Sequence, residues 1–223
     1  MADGPDIAAL DERLARALAD RLAAGAPTRP DAAAIALRAA LAAAADLPTE
    51  LGVAVWRRIE AAAASRPIAV WGPAGAAAAG RFGSALGLAA EPRAALDHAR
   101  RGGLAVLALA AQNPWWGRLL AMPELRVIGA LPETGRGRPA ALVVAAEPAG
   151  PTGDDRTFWV TDAAVGDRAL VGQLSAAGLA AEPIDAAGGL KLFAIAGYVQ
   201  PDDARLTAAP GGLSGVIGAA PVF

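Results

Sequence analysis

The chain has 223 residues, 55% of them hydrophobic, and a formal net charge of −2. That length supports a sizeable core and one to three small domains. The absence of cysteine excludes disulfides and thiolate chemistry, the single histidine, His98, argues against a His-based metal site or a Ser-His-Asp triad, and dispersed arginines with a slight negative charge argue against nucleic acid.

The acidic start, MADGPDIAALDE, has no basic segment followed by an apolar core. No signal peptide is therefore expected, and the expected location is cytoplasmic. Residues 6–24 place Ile7, Leu10, Leu14, Leu18 and Leu22 at spacings of three and four, which predicts an amphipathic helix. Gly25-Ala26-Pro27 stops it. Thr28 is the expected N-cap of a second helix running to about Ala45, with Pro30 in its first turn and Ile35, Leu37 and Leu41 as core candidates. Pro48-Thr49 opens a third helix, about 49–65, which ends before Pro67.

From Ile68 the pattern alternates. Residues 68–83, IAVWGPAGAAAAGRFG, read as a strand, a tight turn through Gly72 and Gly75, and a helix over 74–86. Free N–H groups at such a helix start suit a carboxylate or phosphate, although Ala76, Ala77 and Ala78 stand where that site would want hydroxyls. The turn lacks the Walker lysine and the G-x-G-x-x-G spacing, so a plain strand–helix connection is the competing reading. Arg93–Arg101 predicts a helix closed by Gly102-Gly103, and Leu104–Leu109 predicts a strand buried on both faces. The apolar runs near 68–80 and 102–111 are too short or too broken by Gly and Pro to span a bilayer, so no membrane association is expected. Trp115–Leu120 predicts a helical turn whose Trp115-Trp116 pair anchors the core. Arg126–Leu131 and Ala141–Ala145 predict strands. This alternation argues for an α/β layer.

Past Gly150, PAGPTGDDR reads as a linker-like loop, with Asp154-Asp155-Arg156 in an exposed linker or cap role. Strands are expected at Thr157–Thr161, Leu190–Ala196 and Leu213–Ile217, and a helix over 166–177, closed by Gly178. The fold class is therefore α+β in three parts: a helical segment (1–66), an α/β lobe (67–149) and a small α+β sandwich (150–223). The nineteen arginines against one lysine, Lys191, together with the alanine excess, read as base composition more than as arginine chemistry.

ALDERLARALADR (residues 9–21) resembles the first helix of the all-helical chorismate mutases, and VWRRI (55–59) continues the likeness into the third helix. GPAG with Phe82, and then EPRAALDHARRGGLAVLALAAQNP (91–114), resemble the first lobe of prephenate dehydratase, with Asn113 at that family's asparagine. EPAGPTGDDRTFWVTD (147–162) resembles the entry to an ACT regulatory domain. All three stand in the order of fused chorismate mutase–prephenate dehydratase proteins. The resemblance implies a role related to phenylalanine biosynthesis, a homodimer, no cofactor and no metal. It offers Arg21 as the catalytic candidate and Arg29, Arg38, Gly72, Gly75 and Asn113 as ligand-binding candidates.

The departures bear on activity. The segment between Asn113 and the strand at 141 is too short for a second dehydratase lobe, and Pro139-Ala140-Ala141 stands where a catalytic Thr-Arg-Phe belongs. In the mutase part, Gly4 replaces an expected arginine, Ala32 an expected lysine, and Ala61–Ser65 holds no glutamine. Holding chorismate, a dianion, in a reactive chair needs several fixed cations, and each one lost removes about 3–4 kcal/mol of transition-state stabilisation. The expected function is thus a catalytically weak or inactive relative that binds an aromatic-pathway small molecule or supports a protein partner. The alternatives are an active chorismate mutase and a purely structural interaction protein. Arg21 itself has a bland counterpart: a helix-end arginine meeting the C-terminal dipole. Arg29 and Arg38 have solvated or structural ones, Asn113-Pro114 an ordinary turn, and His98 a surface position.

Overall fold

The computed structural model describes residues 6–27, 29–109 and 113–223. Thr28 and Gly4 lie outside them, so the expected N-cap and the missing mutase arginine have no structural description here. Three helices come first: α1 (Ile7–Ala23), α2 (Pro30–Ala43) and α3 (Thr49–Ala64). The carboxylate of Asp6 caps α1 by accepting from the Ala8 and Ala9 amides. Pro30 occupies the first turn of α2, where its missing N–H costs nothing.

The remaining chain builds one nine-stranded mixed sheet. Its strands are β1 (Ile68–Trp71), β2 (Gly87–Leu88), β3 (Leu104–Ala108), β4 (Arg126–Leu131), β5 (Ala141–Ala145), β6 (Asp155–Thr161), β7 (Ala181–Ala187), β8 (Leu190–Ala196) and β9 (Ser214–Pro221). They lie in the order β2-β1-β3-β5-β4-β9-β6-β8-β7. β1 runs parallel to β2 and β3, and β5 returns antiparallel to β3. The last strand, β9, inserts between β4 and β6, so residues of the central and C-terminal segments share one sheet. Gly218 makes that joint feasible. It sits at φ +138°, and a Cβ there would lie 2.3 Å from the carbonyl oxygen of Val127 on β4.

Side chains alternate between the two faces, as the pleat requires. On one face, Ala105, Leu107, Phe158 and Val160 pack with Leu96 of α5 (Pro92–Arg100) and with Trp115, Trp116 and Leu119 of a 3-10 helix (Trp115–Ala121). Both tryptophans are fully buried, as expected. On the other face, Val70, Leu104 and Val106 meet Ala74 and Ala78 around α4 (Gly75–Phe82), while Trp159 and Phe193 meet Leu170 and Leu174 of α6 (Asp167–Ala176) and Leu206 of α7 (Ala204–Thr207).

Four expectations are corrected. Ile35 is 50% exposed, because α2 packs through Ala33, Ala34 and Leu37 and the helical turn places Ile35 on the opposite side; Leu41 is half-buried. The helix beginning near Gly75 stops at Phe82, four residues earlier than expected, at Gly83 with φ +98°. Asp155 and Arg156 are buried at the start of β6, not exposed in a linker. The carboxylate of Asp155 accepts from the Thr152 amide and hydroxyl at 2.8 and 2.7 Å, which explains its burial. His98 is half-buried, with its Nε2 3.1 Å from the Pro67 carbonyl oxygen.

Candidate functional site

A cavity of about 390 Å³ opens between the helical layer and the sheet. Its wall comes from the start of α2, the inner face of α3, the end of α4, the N-terminal ends of β1 and β3, and the segment following β4. Ala33, Ala61, Ile68, Phe82, Leu104 and Val143 supply an apolar lining. The polar lining is confined to four arginines (Arg29, Arg57, Arg66 and Arg81) and three glutamates (Glu60, Glu133 and Glu147).

Four of these charges form a buried network. On α3, Val53, Arg57 and Glu60 follow one another at spacings of four and three, so the helix turns all three inward. Arg57 donates to Glu60 at 2.8 Å and reaches Glu133, just after β4, at 2.9 Å. Arg81, in the last turn of α4, reaches the second oxygen of Glu133 at 2.9 Å and lies 3.6 Å from Glu60. It also donates to the Arg57 carbonyl at 2.9 Å, tying α4 to α3. Each side chain is at most 15% exposed, so four charges sit out of bulk water in mutual compensation. Burial opposes the charge on Arg57, yet Glu133 and Glu60 outweigh it and raise its pKa. At Arg81 burial prevails over the pull of Glu133, with repulsion from Arg57 adding to it, and the pKa falls. Arg57 Nε has no hydrogen-bond partner. The guanidinium also stacks on Phe223, 5.1 Å from the ring centre.

The rim is held differently. Arg66 pairs with Glu147 at 2.8 Å and donates to the Gly102 and Gly103 carbonyls. Arg29 forks onto Asp31 at 3.0 and 2.6 Å, and Asp31 also accepts from the Gly150 amide. Among the described residues, the wall has no Ser, Thr, Lys, His or Tyr side chain. Its ionisable side chains are guanidiniums and carboxylates, and each carboxylate is held by an arginine.

The sequence-chosen residues are scattered. Arg29 is at the cavity rim. Arg21 donates to the Gly25 carbonyl at 2.6 Å, satisfying the end of its own helix. Arg38 donates to the Thr152 carbonyl at 3.0 Å and the Val222 carbonyl at 2.7 Å, and stacks 4.8 Å from the centre of Phe223. It joins α2 to the C-terminal strand. Gly72 and Gly75 lie at the C-terminal end of β1, and Asn113 follows the C-terminal end of β3. The cavity lies at the opposite, N-terminal ends of those strands. Gly72, at φ +72°, makes the strand–helix turn, and Ala74 and Ala78 pack α4 onto the sheet. Those alanines therefore have a packing role.

Arg57, Glu60, Arg81 and Glu133 escaped the sequence reading. Arg57 and Glu60 stand three apart on one helix, which was visible, but the partners Arg81 and Glu133 come from distant segments that only the fold unites. Among the described residues no group of three or more His, Cys, Asp or Glu could hold a metal ion, and no helix is long and apolar enough to cross a membrane.

No family model matches the chain, and no curated protein matches it. Among solved structures, it overlaps one described as "GqqA, a novel type of quorum quenching acylases" at 19% identity and a TM-score of 0.45, over 71% of this chain and 96% of that one. A prephenate dehydratase from Streptococcus mutans overlaps at 11% identity and a TM-score of 0.36, over 71% of this chain and 99% of that one. At these scores neither overlap fixes a function for this chain.

Proposed function

We propose that this protein binds a small organic anion with an apolar body in the cavity between α2–α4 and the sheet, and that it does so without turning it over. The observation that carries this reading is the composition of the wall: four arginines against three glutamates over an apolar floor. Asp31 balances Arg29, so a ligand carboxylate would compete for the Arg29 fork, which is 58% exposed at the rim, and the aliphatic lining with Phe82 favours a hydrophobic remainder. Guanidiniums cannot exchange protons near neutral pH, so Arg57 and Arg81 bind and orient. Glu60, Glu133 and Glu147 are each engaged by an arginine.

Within this reading, the chorismate mutase and prephenate dehydratase likeness marks lineage. Arg21 and Arg38, the arginines a mutase would aim at its substrate, are engaged with backbone carbonyls. Chorismate, prephenate and phenylalanine are therefore the first ligands to try. A thermal-shift series with each, alongside a spectrophotometric chorismate-consumption assay, tests the reading. A shift with at least one compound and no consumption above the uncatalysed rate is expected. Turnover abolished by Arg21→Ala would overturn it in favour of an active mutase.

A second reading, an interaction protein or homodimer, has one supporting observation. Ile7, Leu10, Leu14 and Leu22 of α1 are 70, 41, 58 and 43% exposed, and Leu51 and Val55 of the neighbouring α3 are 52 and 39% exposed. Light scattering on the purified chain tests it. A stable monomer at high concentration removes the homodimer, and absence of any ligand shift together with self-association favours this second reading.

A further inference from the structure

Glu60 is 6% exposed and forms part of the cavity wall. Both of its arginine contacts fall on one oxygen. Oε2 accepts from Arg57 Nη1 at 2.8 Å and lies 3.6 Å from Arg81 Nη2. Oε1 has no hydrogen-bond donor among the described residues. Nor is it sealed in the way that Arg57 Nε is: Oε1 keeps accessible surface, and Glu60 turns that surface to the cavity it lines. Glu133 differs, because Arg57 takes one of its oxygens and Arg81 the other, each at 2.9 Å.

The inner side of the cavity thus holds a carboxylate oxygen with acceptor capacity to spare. A carboxylate only accepts, so its complement is an O–H or N–H donor. Charge decides between them. Arg57 and Arg81 balance Glu60 and Glu133, and both guanidiniums lie within 3.6 Å of Glu60. An ammonium there would meet two cations beside the carboxylate and bring an uncompensated charge out of water. A neutral hydroxyl gains a charge-assisted hydrogen bond and leaves the balance intact. The donor fork that suits a carboxylate is at the rim, on Arg29. Ala61, Ile68, Phe82 and Leu104 give the same cavity an apolar wall, and Phe82 suits a flat ring.

Resting on the reading that this cavity takes a carboxylate with an apolar body, we infer that its ligand also carries a hydroxyl at the end remote from the carboxylate, and that this hydroxyl donates to Glu60 Oε1. The ligand class is a ring-bearing hydroxy acid, seated with its hydroxyl inward and its carboxylate outward. Glu60 is then the residue that separates such acids from counterparts lacking the hydroxyl, which leave Oε1 without a partner.

The probes are 3-(4-hydroxyphenyl)propanoate and 3-(4-fluorophenyl)propanoate, which are close in size, while only the first can donate. Titration calorimetry on the full chain should show the hydroxy acid binding about tenfold or more tightly than the fluoro acid, the worth of a hydrogen bond to a charged acceptor. Glu60→Gln should bring that ratio down toward one; taking the ratio cancels any general effect of the variant on anion affinity. Ala61→Phe should abolish binding of both. Should Glu60→Gln fail to fold, wild type and Ala61→Phe decide: a hydroxyl preference that disappears with the blocked cavity supports the inference. Equal affinities for the two acids overturn it and leave the cavity reading standing, as does a ratio unchanged in Glu60→Gln. No binding of either acid also overturns it, and the cavity reading then rests on the chorismate, prephenate and phenylalanine series.

Discussion

Replacing Glu133 by Gln tests the buried charge network at its centre. Glu133 bridges both arginines at 2.9 Å and is 8% exposed. Gln preserves the shape and removes one negative charge. Two guanidiniums are then left against Glu60 alone, which Arg57 holds at 2.8 Å and Arg81 meets only at 3.6 Å. Removing one partner of a buried ion pair costs about 3–5 kcal/mol, because the orphaned charge stays out of water. For a chain of this size each kcal/mol lowers the melting temperature by roughly 2–4 °C, so a fall of roughly 6–20 °C is expected. Thermal unfolding followed by fluorescence of the buried Trp115, Trp116 and Trp159 measures the shift, and urea denaturation measures the free energy. The double variant Glu133→Gln/Arg81→Gln restores neutrality around the remaining Arg57–Glu60 pair. It should be more stable than the sum of the single changes by about 1–3 kcal/mol. A Glu133→Gln cost below about 1 kcal/mol, or strict additivity, would refute the view that these four charges act as one compensated unit.

Three further outcomes follow from other contacts. Asp31 is desolvated by burial, yet Arg29 and the Ala32 and Gly150 amides outweigh that and hold its carboxyl below the usual aspartate range. A depressed folded-state pKa stabilises above the unfolded value, about 3.9, and that stability disappears as pH falls through the folded value. Asp31→Asn should therefore destabilise the protein at neutral pH, with the gap to wild type closing under acid; a pH-independent gap in urea titrations counts against this. Gly218→Ala should cost more than about 2 kcal/mol or prevent folding, since the new Cβ meets the Val127 backbone and φ is positive; near-wild-type stability would show that the β4–β9 joint is looser than described. Arg38→Met should cost at least about 2 kcal/mol by orphaning the Thr152 and Val222 carbonyls, with hydrogen exchange in β9 rising; unchanged exchange would mean that Arg38 does not clamp that strand.

The α+β class and most elements were legible in the sequence because their signals are local. β1, β4, β5 and β8 are short, nearly continuous apolar runs bounded by Gly, Pro or charge. β7 was not legible: AEPIDAA carries Pro183 and Asp185, buries only Ile184, and is held by pairing with β8 at a sheet edge. β2 has two residues, both exposed, and α7 has four, too short for any period to register. The place of β9 between β4 and β6 was beyond reach because it depends on a close approach at Gly218, not on any pattern around it. For the site, the sequence supplied Arg29 at the rim. It ranked Arg21 and Arg38 by likeness to a motif, whereas in the fold both serve backbone carbonyls. The buried network joins residues 57, 60, 81 and 133, and ion pairing over such separations leaves no periodic trace. The alanines after GPAG were visible as missing hydroxyls; their role in bringing α4 onto the sheet emerges only from the packing.

Blocking the cavity tests the central claim most directly. Ala61 lines it from α3 and is half-buried, so Ala61→Phe places a ring in the space while leaving the charged network intact. Calorimetric titration of wild type and Ala61→Phe with chorismate, prephenate and phenylalanine, with chorismate consumption followed in parallel, should give binding of at least one compound by wild type, its loss in the variant, and no consumption by either. Binding that survives Ala61→Phe, no binding of any of the three by wild type, or catalysed loss of chorismate would contradict the account.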